Sequence, residues 1–162
     1  MAERDRDESG RPRNARPRDA LGRPLPRGSA GVPGIPEDLR LAPAQTLDYA
    51  QRLLDEGRAF HAHEVLEAAW KTGPPSERML WQGLAQLAVG ITHIQRGNPT
   101  GAAALLRRGA GRLAAAPARH GVDVAGLIEY AERLAEQVGA EASMPLARLR
   151  PRLLSRPAPS RS

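Results

Sequence analysis

At 162 residues, with no cysteine, the chain has room for one domain and excludes a disulfide framework, thiolate chemistry and a Cys-based metal site. No apolar run approaches the roughly 18 residues of a membrane span, and Met1-Ala2-Glu3-Arg4-Asp5 lacks the apolar stretch of a secretory signal, so a cytoplasmic protein with no membrane contact is expected. The net charge of +6 is carried by the ends, because nine Arg and one Lys balance ten Asp and Glu between residues 47 and 139.

Residues 1–36 hold Arg, Pro, Gly and Asp, with Leu21, Leu25, Val32 and Ile35 as isolated apolar side chains. Such a segment buries too little surface to offset its ordering entropy, so a disordered arm is expected over 1–36, a helical bundle over 37–140 and a disordered Arg/Pro-rich tail over 141–162. Arg outnumbers Lys 23 to 1 beside abundant Ala, Gly and Pro, all written with GC-rich codons. No basic stripe is interleaved with aromatics, so a nucleic-acid partner is not expected.

The first helix is predicted from about Pro43 to Glu56, with Leu47, Ala50, Leu53 and Leu54 inward and Gly57 as its stop. The second covers about Arg58 to Lys71, and Pro74-Pro75 breaks the chain before a third helix that opens at Ser76-Glu77 and runs to Arg96. Gly97 ends that helix, Asn98 caps the fourth (about Pro99 to Ala116) and Pro99 suits its first position. Asp123 caps a fifth helix with Val124, Leu127, Ile128, Ala131, Leu134 and Val138 as its apolar stripe, and a short sixth element is placed around Leu146–Leu154. The third helix carries Leu80, Leu84, Leu87, Ile91 and Ile94 on one face and polar residues on another, so it must be buried between neighbours. Gly83 and Gly90 let one neighbour approach closely. Short loops imply antiparallel neighbours. The expected fold is all-α: a compact up-and-down bundle of about five helices with a central buried third helix.

The polar positions are the informative ones. Phe60, His63, Glu67 and Trp70 share one helical face, and Gln82, Gln86, Val89 and His93 repeat the spacing on the next helix. A hairpin folded about Pro74 sets Glu67 opposite Gln82 and His63 opposite Gln86. Polar groups at a helix contact cost free energy unless they satisfy one another, so the seam is read as a buried network in which His63 donates to Glu67 or Gln86 and Glu67 accepts from Gln82. Trp70 is expected as a core anchor with its indole N–H on a carbonyl near residues 72–76. Glu64 sits off the seam as a solvated or helix-pairing charge, His61 is expected to be exposed, and His120 carries no signal. His63-Glu64-Val65-Leu66-Glu67 has the outline of a zinc peptidase His-Glu-x-x-His, but its fifth position is Glu, so the second His ligand is missing. A looser metal site on His63, Glu67 and His93 is weakened because His93 lies two turns beyond Gln86.

Phe60, His63-Glu64-x-x-Glu67-x-x-Trp70, Gln82-Gly83-x-x-Gln86-x-Ala88, His93 and Gly97-Asn98-x-x-Gly101-Ala102 together resemble domain-of-unknown-function family 309 over about Gly57 to Leu113. The resemblance implies a small all-helical protein and brings no activity and no catalytic residue; this copy departs from the pattern at His61-Ala62 and Thr92. The reading that follows is a helical interaction or scaffold module that takes a protein partner or a second copy of itself, without a cofactor. The alternative is a metal-binding or hydrolase-like site built on His63, Glu67, Gln82, Gln86 and His93.

Overall fold

Helix ends fall where local chemistry starts or stops a helix. In the computed structural model, which describes residues 18–26, 31, 34–36, 38–140 and 144–155, α1 (Pro43–Asp55) begins on a proline, and Gln45 reaches back to accept the Ala42 backbone N–H at 3.2 Å. It stops at Gly57, whose φ of +77° lets the chain turn back so that the Arg58 N–H reaches the Leu53 carbonyl at 2.8 Å. Helix α2 (Ala59–Thr72) runs into the two prolines and a 3-10 turn (Pro75–Glu77), and α3 (Arg78–Gln95) follows. The Asn98 and Asp123 side chains each accept a backbone N–H, from Gly101 and Gly126 at 3.1 Å, and so open α4 (Pro99–Ala115) and α5 (Val124–Gln137). A second 3-10 turn covers Leu146–Leu149.

Each helix packs on the next in sequence, and α3 sits in the middle of that row, between α2 and α4. The close approach of α3 and α4 depends on two positions without a side chain. A Cβ on Gly83 would lie 2.9 Å from Leu113 Cγ, and one on Gly90 would lie 2.8 Å from Leu106 Cγ, both shorter than atoms tolerate. The apolar rows read in the sequence are the core: Leu47, Leu53 and Leu54 of α1, Leu80, Leu84, Leu87 and Ile91 of α3, Leu106 and Leu113 of α4, and Leu127 and Leu134 of α5. The described residues contain no strand, only the isolated bridges Arg18–Pro24 and Val122–Leu154, and no helix among them is long and apolar enough to cross a membrane.

Both segments read as arms contribute described residues that fold back on the bundle; residues 1–17, 27–30, 32–33, 37, 141–143 and 156–162 lie outside the description. Near the N-terminus, residues 18–24 form a turn in which Asp19 Oδ1 accepts from the Leu21 and Arg23 N–H groups at 3.0 and 2.8 Å. That turn lays Gly22 flat on the Phe60 ring, and Arg96 Nε donates to the Leu21 carbonyl at 3.0 Å. Residues 144–155, placed in the tail by composition, instead pack on the helices, with Leu149 4% and Leu153 2% exposed. The reason is an alternation that composition averages away. Leu149 closes the 3-10 turn facing inward, and beyond it Pro151 and Leu153 face the core while Arg150 and Arg152 face water, the period of an extended chain.

Candidate functional site

The three, four and three spacing on α2 puts Phe60, His63, Glu67 and Trp70 along one edge of the α2–α3 contact. Between the helices lies a groove of about 150 Å³, lined by His63, Glu67 and Trp70 on one side and Gln82, Ala85, Gln86 and Val89 on the other. The hairpin therefore brings together the residues that the seam was expected to join, except Phe60 and His93.

Their bonding differs from the expected network. His63 Nε2 lies 3.3 Å from Glu67 Oε2, and Lys71 Nζ lies 3.2 Å from Glu67 Oε1. The His63 hydrogen bond, followed by the His63 and Lys71 charges, holds the Glu67 carboxyl down to about 2 against the opposing effect of burial. An ionised carboxylate only accepts, so His63 donates to it through Nε2, and Nδ1 makes no hydrogen bond among the described residues. Gln82 is claimed from the other side, where its Oε1 accepts from Arg112 Nη1 of α4 at 2.8 Å. No Glu67–Gln82 bond forms among the described residues. Trp70 Nε1, Gln86 Oε1 and His63 Nδ1 are all shielded from water with no hydrogen-bond partner. The residues Trp70, Gln86 and His63 that line the groove thus each carry a shielded polar atom without a partner among the described residues, and the expected carbonyl for the Trp70 indole is not among them.

Glu64 lies in a second depression of about 220 Å³ beside Ile35, Pro36, Phe60 and Lys71. Burial pushes its carboxyl up, while His63, Arg18 and the Ile35 backbone N–H pull the other way. It is half-buried beside Ile35 and Pro36, which overturns the solvated half of the expectation of a solvated or helix-pairing charge. Phe60 is covered as well, by the guanidinium groups of Arg18 and Arg96 at 5.1 and 5.5 Å from its ring centre.

His93 stands apart: its Nδ1 is 3.0 Å from Asn98 Nδ2, at the end of α3. The set His63, Glu67 and His93 is not assembled, and among the described residues no three His, Asp or Glu side chains gather as a metal would require.

One cluster escaped the sequence reading, and one residue was placed on the wrong side of the surface. Trp81, 2% exposed, is the tryptophan in the core, while Trp70 is partly buried at its edge. The Trp81 Nε1 donates to Glu77 Oε1 at 3.3 Å, and His120 Nε2 reaches the same oxygen at 2.6 Å with its ring stacked 5.9 Å from Trp81. The Glu77–Trp81 spacing of four is a local signal, but nothing local joins either to His120. His61, expected at the surface, is 1% exposed with Nδ1 unpaired.

These groups set the response to acid. Burial, with Arg58 adding to it, holds His61 below its ordinary value of 6.5. The unfolded chain therefore takes up that proton first, and stability declines as pH falls from 6.5 to the folded value. Glu67 has the carboxylate pattern: its contribution is present above 4.5 and is lost as pH falls from there to about 2. The melting temperature is expected to drop in two stages on acidification. His61→Leu should flatten the first and Glu67→Gln the second. A profile whose upper stage survives in His61→Leu would assign that stage to another group.

Residues 47–105 match the model of the family described as Domain of unknown function (DUF309), so the resemblance read from the Phe60–Ala102 motifs holds over that span. The chain is similar to the uncharacterized protein YpuF of Bacillus subtilis (strain 168), with 33% identity over 103 residues covering 59% of this chain and 58% of that protein. It thus spans little more than half the length of that relative. No solved structure matches the chain significantly. Neither the family description nor the relative's name carries an activity.

Proposed function

We propose that this chain is a cytoplasmic interaction module whose α2–α3 groove binds a segment of a protein partner. The observation that carries the reading is the set of unpaired, shielded polar atoms on three residues that line the groove: Trp70 Nε1, Gln86 Oε1 and His63 Nδ1. A shielded donor or acceptor without a partner costs about 1–3 kcal/mol. A fold that keeps three of them along one groove forgoes stability that apolar side chains would supply. The two ends of the Gln86 amide differ only in O and N, so rotation of that side chain offers a partner either a donor or an acceptor. Trp70 adds a flat apolar face with a donor at its edge, a combination common at interfaces. His63 and Glu67 form an acid–base pair, but the groove lining brings no nucleophile and no third metal ligand to it, which favours binding over turnover.

Stability and binding should respond oppositely to one change. Gln86→Met is expected to raise stability by about 1 kcal/mol, because it removes an unsatisfied acceptor at similar volume. A photo-crosslinking side chain at Val89, in cells carrying the natural partners, should give a discrete polypeptide adduct that Gln86→Met abolishes. The same probe at Glu132, on the exposed face of α5, serves as the control. A Gln86→Met protein that melts lower would mean that the amide belongs to a structural network. Equal adducts from Val89 and Glu132, or none from Val89, would reject the groove as a binding surface.

A further inference from the structure

Charge of one sign is gathered on each of the last two helices. Helix α4 holds Arg107, Arg108 and Arg112 and no acid, while α5 holds Glu129, Glu132 and Glu136 with one base, Arg133, which pairs with Glu129. All of these are exposed except Arg112, which turns to Gln82. Like charges three and four positions apart repel along a helix, so each stripe opposes the helix that carries it. A surface shaped only for solubility and helix stability intersperses the two signs. The abundance of arginine in the chain accounts for the basic helix and leaves the acidic one unexplained. The two helices pack on one another, yet among the described residues Arg107 and Arg108 make no ion pair with Glu132 or Glu136.

Gly111 is a second observation on the same face. It lies inside α4, in the exposed row Ala104, Arg108, Gly111 and Ala115, and a Cβ there would meet nothing within 4 Å. Gly83 and Gly90 each admit a neighbouring helix; nothing inside the chain requires a glycine at position 111. A glycine within a helix lowers its propensity, and close approach of another backbone is what such a position serves.

We propose that the outer face of α4 and α5 docks on the same face of a second copy, with the basic α4 of each chain against the acidic α5 of the other. Because the two helices are neighbours, both contacts form at once around one two-fold axis. Area sets the strength. Helices of 17 and 14 residues, about 25 and 21 Å long and about 10 Å wide, offer on the order of 450 Å² per copy. A stable complex buries roughly 800 Å² per partner, so this dimer is weak, reversible and governed by charge. The inference is independent of the α2–α3 groove. A photo-crosslinking probe at Glu132 then gives an adduct of this chain with itself, at twice its mass, which sets it apart from a partner adduct at Val89.

Charge reversal on the full-length chain provides the test. Sedimentation velocity over a concentration series should show a wild-type dimer at about 0.1 M salt and its loss at about 1 M, where charges are screened beyond about 3 Å. The double variant Arg107→Glu/Arg108→Glu sets acid against acid, and Glu132→Arg/Glu136→Arg sets base against base, so each alone should be monomeric at low salt. Mixed in equal amounts, the two variants restore both contacts and should form a one-to-one dimer, identified by native mass spectrometry. All four positions are exposed, so the fold is left intact. Gly111→Gln places bulk in open space and should weaken the dimer without lowering the melting temperature. A wild-type chain that stays monomeric at low salt, a dimer that either reversal or Gly111→Gln leaves unchanged, or a mixture of the two reversed variants that stays monomeric would overturn the proposal.

Discussion

Truncation of the chain after Ala140 is expected to destabilise the bundle severely, although composition alone marks everything beyond that point as dispensable. Leu149 and Leu153 are 4% and 2% exposed and belong to the same apolar cluster as Leu47, Leu54 and Leu134. Replacing one buried leucine by alanine usually costs about 2–5 kcal/mol, so Leu153→Ala by itself should lose that much. The truncation removes both leucines and leaves the facing sides of α1 and α5 open to water. The ordering entropy recovered by the freed residues offsets part of this, yet the net loss should still be at least that of the single substitution. Against a domain stability of about 5–15 kcal/mol this is a large fraction, and it corresponds to a fall in melting temperature on the order of 10 °C. Urea unfolding of the truncated and full-length proteins measures it directly. Melting within a few degrees of full length would mean that the packed tail contributes almost nothing.

Trp81→Ala is expected to cost about 3–5 kcal/mol, the range for truncating a fully buried tryptophan, and Trp70→Ala distinctly less. Trp81 lies in the central helix at 2% exposure, and its removal also takes one donor from the Glu77 carboxylate and unstacks the His120 ring. Glu77 is held below the usual carboxylate range chiefly by its bond to His120, with Trp81 assisting. Trp70 packs only partly against the core, and its indole N–H satisfies nothing. Chemical denaturation of the two variants orders them. A Trp70→Ala loss equal to that of Trp81→Ala would restore Trp70 as the anchor of the hairpin and weaken its reading as a binding residue.

The two tryptophans show where inference from sequence succeeds and where it stops. Trp70 was legible because it completes a run with Phe60, His63 and Glu67 at helical spacing, and His63, Glu67 and Trp70 of that run do line one groove with Gln82 and Gln86. Trp81 falls between the apolar row and the polar row of α3, and periodicity alone gives it neither face. His61 was misplaced for the same reason: its polar type suggested solvent, while its position on α2 turned it into the protein. Glu64 was read as a solvated or helix-pairing charge because it sits off the seam; Ile35 and Pro36, from outside the helices, lie against it.

What the amino-acid sequence determined by itself is the local order of the fold. Pro43, Gly57, Pro74-Pro75, Asn98-Pro99 and Asp123 set the limits of five helices, since caps and breakers act on the backbone within a turn of themselves. The 3.6-residue apolar rows chose the buried faces, and Gly83 and Gly90 marked the side where α4 comes close. Tertiary structure alone decided the partners of the polar groups and the fate of the ends. Gln82 turns to Arg112, thirty residues away, and His120 reaches Glu77 across forty-three. Gln51 clamps Leu153 from 102 residues upstream. Helix periodicity reports which way a side chain faces, but a hydrogen bond depends on which distant group arrives within about 3 Å of it, and that is set only when the helices have packed.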